Sequence, residues 1–129
     1  MTLEAIMTAG TAYAARWARV GEAAARARAI PSNRIAALLI VAIYNAAGFA
    51  DVASTTMGLQ AGAAEMNPVI RSFMDALSHY WVIPKLGSQL LVSAMILWFP
   101  HRFVLSIFSV AVLTTLLVVL NNLRIIGML

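Results

Sequence analysis

The sequence predicts an all-α membrane protein. The expected fold is a bundle of three spanning helices, with an N-terminal amphipathic helix and a fourth, short re-entrant or interfacial helix. Three observations predict it. Hydrophobic residues make up 62% of the 129 and charged residues 11%, where soluble chains run near half and a quarter. Mean hydropathy is +0.87, and a chain this small cannot wrap so much apolar surface in a polar shell. The apolar residues also gather into three stretches long enough to cross a bilayer. An ordinary cytosolic enzyme and a disordered tail are thereby excluded. The absence of cysteine excludes disulfides, thiolate metal sites and a thiol nucleophile.

Residues 1–34 read as a basic leader, with Arg16, Arg19, Arg26, Arg28 and Arg34 against Glu4 and Glu22. This leader supplies most of the net charge of +4. Leu3, Ile6, Tyr13, Trp17 and Val20 share one helical face, Arg16 borders it, and Arg19 and Arg26 project elsewhere. Arg28 would fall on the apolar face of an unbroken helix, so the pattern is expected to end before it. The layout suits a helix lying in the membrane interface, with Arg16, Arg19 and Arg26 reaching anionic lipid head groups. Gly10 and Gly21 leave a frayed, alanine-rich helix as the plainer alternative. No arginine run interleaves with stacking aromatics, so nucleic acid is not an expected partner. A cleaved signal peptide is not expected either, since some 34 residues precede the apolar run. Glu4 and Glu22 count against a transit peptide.

The transmembrane part is placed at 35–129, with spans at about 35–57, 80–99 and 103–122. At ~1.5 Å per residue, 35–57 reaches ~34 Å, enough to cross the hydrocarbon core with some tilt. Pro31, Ser32 and Asn33 are expected to break the chain and cap the first span. Pro100, His101 and Arg102 alone separate the last two spans, which therefore form a tight hairpin. In the 59–79 connection, Asn67 followed by Pro68 signals a helix cap and first position. Val69, Ile70, Phe73, Met74 and Leu77 then share the apolar face of a short outer helix at about 68–78. Arg71, Asp75 and His79 follow one another at four-residue spacing on another face. The positive-inside rule places the N-terminus and Arg102 in the cytoplasm and the C-terminus outside, with Arg124 as one dissenting charge.

Polar residues within the spans carry what functional information there is. Asn45, Gly48, Asp51, Thr55 and Gly58 form one stripe on the first span, and Lys85, Gln89 and Ser93 step by four on the second. Such stripes are expected to face each other rather than lipid. Lys85 follows Pro84 in the opening turn of a helix, where the dipole disfavours a cation, so a carboxylate partner is expected. Asp51 and Glu65 both qualify. Asp51, Thr55, Glu65, Asn67, Lys85 and Gln89 are thus the candidate polar cluster or binding site. Asp51 and Lys85 read first as an ion pair clipping two helices, and second as a ligand, ion or proton site. Glu65 and Asn67 read first as an ordered turn and cap. Trp17, Tyr80, Trp81 and Trp98 read as interfacial anchors. The two histidines fall on opposite sides of the membrane, so no metal site is assigned; no catalytic residue or cofactor is assigned either.

The run Asp51-x3-Thr55, Gly62-x-x-Glu65-x-Asn67-Pro68 and a lysine opening the next span at Lys85 resembles a family of small bacterial membrane proteins. That family is uncharacterised and known only as a domain of unknown function. The resemblance covers about residues 36–122 and excludes the leader; Ala61-Gly62 stands where members often show a glycine pair. It implies three or four helices in a membrane, and no reaction; the expected location is the bacterial cytoplasmic membrane. The expected function is an accessory or scaffold subunit that binds other membrane proteins or a second copy of itself. The alternative is an ion or lipid-head-group binding or transport component using the outer polar cluster. An intramembrane enzyme ranks third.

Overall fold

A computed structural model of the chain describes residues 2–128, apart from the side chain of Leu3. Its helices are α1 (Leu3–Ala29), α2 (Pro31–Gln60), α3 (Pro68–Leu77), α4 (Val82–Trp98) and α5 (Arg102–Ile125), with a 3₁₀ turn, Ser78–Trp81, leading into α4. Three helical stretches are long and apolar enough to cross a membrane: α2, α5, and the Pro68–Trp98 stretch that contains α3 and α4. Their surfaces are mostly exposed within the chain, with Leu38, Leu39, Leu90, Leu91, Leu113 and Leu117 facing outward. In water such a surface would not be tolerated. The protein is an integral membrane protein built as an all-helical bundle.

α2 is the central helix. α5 packs along it most extensively and α4 less so, while α4 and α5 touch each other far less than either touches α2. All three meet near the α4–α5 turn, where Ala37, Ile96 and Leu105 form the apolar core, flanked by Ile40, Val92 and Phe108. On α5 the buried residues are Leu105, Val112 and Val119, a seven-residue spacing that makes a narrow seam and leaves the remaining circumference to lipid. α4 alone is 17 residues long, or about 26 Å, which is short of the ~30 Å hydrocarbon core. The four-residue 3₁₀ turn ahead of it adds about 8 Å and completes the crossing.

Several local expectations need correction. α1 does not stop before Arg28; it runs to Ala29, and the Arg28 guanidinium donates to the carbonyl of Trp98 at the last turn of α4. The arginine satisfies a carbonyl that has no partner in its own helix, which is why it tolerates an inward position. Ser32 and Asn33 do not cap α2. Pro31 occupies its first turn, where a missing N–H costs nothing, and the cap residue is Ile30. Asn33 is buried inside that first turn and turns back, its Nδ2 donating to Ala27 O at 3.2 Å. His79 does not continue the face of Arg71 and Asp75. Ser78 has φ +50°, which ends α3 and swings the chain, and the His79 ring lies against Tyr80 instead. Trp81 is not an exposed anchor: the 3₁₀ turn buries it, whereas Trp17, Tyr80 and Trp98 are exposed.

α2 and α5 end in the same way. After α2, Gly62 (φ +87°) donates to Leu59 O and Ala63 to Gly58 O; after α5, Gly127 (φ +74°) donates to Arg124 O and Met128 to Leu123 O. Both are Schellman motifs, which need a left-handed residue that glycine supplies without a steric penalty. They turn the chain sharply at the end of the bundle remote from α1. There the α2–α3 connection folds back over the space between α2 and α5.

Candidate functional site

The polar side chains of the spans form three interhelical contacts along α2. The deepest joins α2 to α4. Gln89 Nε2 donates to Asn45 O at 3.2 Å and to Asn45 Oδ1 at 3.1 Å, and Asn45 Nδ2 donates to Ser93 Oγ at 2.9 Å and to Val41 O at 2.7 Å. Gln89 and Ser93 are buried, and Gly48 makes room for the glutamine, since a β-carbon there would overlap its amide. The stripe of small and polar residues thus serves close helix approach with hydrogen bonds across it.

The second contact, nearly two turns further along α2, is the ion pair of Asp51 Oδ2 with Lys85 Nζ. Both side chains are about six-sevenths buried, 14% and 16% exposed. Of the two carboxylates open to Lys85 on sequence grounds, Asp51 is the partner. Lys85 also lies 5.8 Å from the centre of the Trp81 ring, within cation–π range, so the inward turn of Trp81 adds a second stabilising contact to the cation. Together these offset the unfavourable position of Lys85 near the start of α4.

The third contact joins α2 to α5. Asn122 Nδ2 donates to Ser54 Oγ at 3.2 Å and to Thr55 Oγ1 at 3.4 Å, and Ser54 Oγ donates to Asp51 O at 3.2 Å. Ser54 is absent from the expected cluster and Asn122 enters the expectation only as the end of a span. Serine in a membrane helix commonly bonds to its own backbone, so nothing in sequence distinguishes Ser54 from Ser88 or Ser106, which do just that. Among the described residues, no buried side-chain nitrogen or oxygen lacks a hydrogen-bond partner.

Glu65 and Asn67 build the turn into α3. Glu65 Oε1 accepts from Asn67 N at 2.7 Å, and Asn67 Oδ1 accepts from Val69 N at 3.0 Å, which caps the helix. Arg71 reaches back from α3, its Nε donating to Glu65 O at 3.1 Å and its Nη2 to the same carbonyl. The turn is therefore fixed at both edges.

These groups surround a cleft of about 470 Å³ between α2, the 63–67 connection and the last half of α5. Five of the six candidate residues line it: Asp51 and Lys85 together, with Thr55 on α2 and Glu65 and Asn67 in the connection. Gln89 does not; it belongs to the buried Asn45–Ser93 contact. Leu117, Val118 and Ile125 of α5 form an apolar wall. The lining of α5 runs from Thr114 to Ile125, which at ~1.5 Å per residue gives the cleft a length of roughly 16 Å along the helix axis. Its volume lies within the ~300–1,000 Å³ typical of small-molecule sites. The two histidines lie at opposite ends of α4, and among the described residues no three His, Asp or Glu side chains gather as a metal would require.

Residues 39–128 match the family described as "Domain of unknown function (DUF5658)". The matched region takes in all three interhelical contacts and the whole cleft, and leaves out α1 and the first turns of α2. No curated protein and no solved structure matches the chain.

Proposed function

We propose, for a chain that belongs to the DUF5658 family and takes no assigned reaction from it, a structural role. In this reading the protein is an accessory or scaffold subunit of the bacterial cytoplasmic membrane. It binds other membrane proteins, or a second copy of itself, through its exposed apolar helix faces. One observation carries the reading: Asn45, Asp51, Lys85, Gln89, Ser93 and Asn122 are engaged in holding α4 and α5 to α2. Groups so engaged fix a frame, and they are poorly placed to move an ion or a proton across it. The N-terminus lies in the cytoplasm, where α1 rests on the membrane and Arg16, Arg19 and Arg26 meet anionic head groups.

Two measurements test this reading. Breaking a buried ion pair from one side costs about 3–5 kcal/mol, because the remaining charge is stranded. Asp51→Asn and Lys85→Met should therefore each lower the melting temperature of the detergent-solubilised protein, and the double variant should recover most of the loss. Unchanged stability in both single variants, with function lost, would turn the pair from clip to site. The partner is sought by pull-down from the native membrane in mild detergent. A stoichiometric membrane protein, or a second tagged copy, is expected with the chain; recovery of the chain alone counts against the accessory role.

A second reading is favoured by the cleft itself. It opens beside a helix surface that faces lipid and combines a polar floor with an apolar wall, the lining that an amphiphile's head group requires.

A further inference from the structure

We propose that the cleft takes the primary ammonium of a zwitterionic phospholipid head group, bound by Glu65. The inference rests on the head-group reading above and adds the chemical class of the lipid. Charge decides first. Asp51 and Lys85 neutralise each other on the floor, so the third ionisable residue of the lining, Glu65, leaves the cleft with one uncompensated carboxylate. Its Oε1 accepts from the backbone of Asn67, and among the described residues no Lys, Arg or His nitrogen lies within 4.0 Å of the carboxylate. A head group without a cation would leave this carboxylate without a counter-charge in the lining.

Shape and donor chemistry then distinguish between amines. A primary ammonium offers three N–H donors, and Glu65, Thr55 and Asn121 place acceptor oxygens along the lining. A quaternary ammonium has no such donor and is held by aromatic faces, yet among the described residues no aromatic side chain lines the cleft. Arg71, fixed on the Glu65 carbonyl, sets a guanidinium just outside the lining, where the phosphate of the same head group belongs. Leu117 and Val118 continue the cleft along α5 as a track for the first methylenes of an acyl chain.

The experiment uses the full chain in detergent. Bound lipid is counted by native mass spectrometry after incubation with phosphatidylethanolamine, phosphatidylcholine or phosphatidylglycerol, and free phosphoethanolamine is a fourth arm. Phosphatidylethanolamine is expected to bind about tenfold more tightly than the other two lipids. Free phosphoethanolamine, which lacks chains for the α5 wall, is expected to bind far more weakly. In Glu65→Gln the preference should vanish while the melting temperature holds, because the amide oxygen still accepts from Asn67. In Val118→Trp, which fills the cleft from an exposed position, binding itself should be lost. Equal binding of the three lipids, still blocked by Val118→Trp, overturns the amine assignment and leaves a head-group cleft. A preference that survives Glu65→Gln overturns it too, and tight binding of the free head group overturns the lipid. Lipid binding that ignores Val118→Trp, or no binding at all, overturns both the assignment and the head-group reading beneath it.

Discussion

Gly48 decides how closely α2 and α4 approach, because any β-carbon there meets the amide of Gln89. Gly48→Ala must displace that buried amide from Asn45, which combines overpacking with a lost hydrogen bond and costs about 1–3 kcal/mol. Gly87 sits one helix away with nothing within 4 Å of its would-be β-carbon, so Gly87→Ala should be neutral or stabilise by up to ~1 kcal/mol. Thermal unfolding in one detergent checks both, and similar losses in the two variants would contradict the packing argument. Asn122→Leu removes an interhelical amide at the edge of the cleft and should cost less than Gly48→Ala, about 0.6 kcal/mol, as is usual for such bonds in membranes. The stripe from Asn45 to Gly58 was legible in sequence as a stripe, because helical spacing alone puts those residues on one face. The choice of Asp51 over Glu65 for Lys85 was not, since it depends on how the 61–67 turn directs Glu65 towards the backbone of Asn67. The inward position of Trp81 was equally hidden: Trp81 and Lys85 stand four apart, as helical neighbours do, but spacing alone does not say that their shared face turns into the bundle.

Among the elements, α3 was the most readable, since the Asn67-Pro68 pair and the apolar face from Val69 to Leu77 carry their signal locally. Its end was not readable. Nothing in Leu-Ser-His marks a residue with positive φ, and Ser78 is held there because the chain must turn from the short helix into the span. A serine at φ +50° and ψ −129° is strained by roughly 1–3 kcal/mol, so Ser78→Gly should raise stability by a part of that amount. Ser78→Val, with its branched side chain, should lower it, and a thermal melt of both variants tests the corner. α3 itself buries no residue inside the chain, although it is strongly amphipathic. Its apolar face is therefore expected to lie in the lipid interface. Spin labels placed singly at Val69 and at Asp75 should differ accordingly: oxygen, which partitions into lipid, should relax the first more strongly, and a water-soluble nickel chelate the second. Equal exposure of both to the aqueous reagent would detach α3 from the membrane.

For the whole molecule, three crossings put the two termini on opposite sides, and the distribution of cations selects which side is which. The end that carries α1 and the α4–α5 turn holds Arg16, Arg19, Arg26, Arg28, Arg34 and Arg102; the other holds Arg71, Lys85 and Arg124. On the positive-inside bias, α1 is expected in the cytoplasm and the mouth of the cleft on the far side. Because the chain has no cysteine, single-cysteine variants report this directly without a background to remove. Thr8→Cys should be shielded from a membrane-impermeant thiol reagent in intact cells, while Ala64→Cys and Met128→Cys should react. Labelling of Met128→Cys and Thr8→Cys from the same side would refute an odd number of spans. The bias can also be removed. Changing Arg16, Arg19, Arg26 and Arg34 to glutamine leaves Arg28 and Arg102 against the three cations of the other end, so the inserted population should become mixed or inverted. Arg28 is retained in that variant because it bonds to the carbonyl of Trp98 and its loss would disturb α4 as well as the charge balance. A population that keeps its orientation after the four changes would show that the spans, rather than the arginines of α1, set the topology. The scarcity of charge in this chain classifies it as a membrane protein; the side on which the arginines are gathered then determines which compartment the Glu65 cleft opens to.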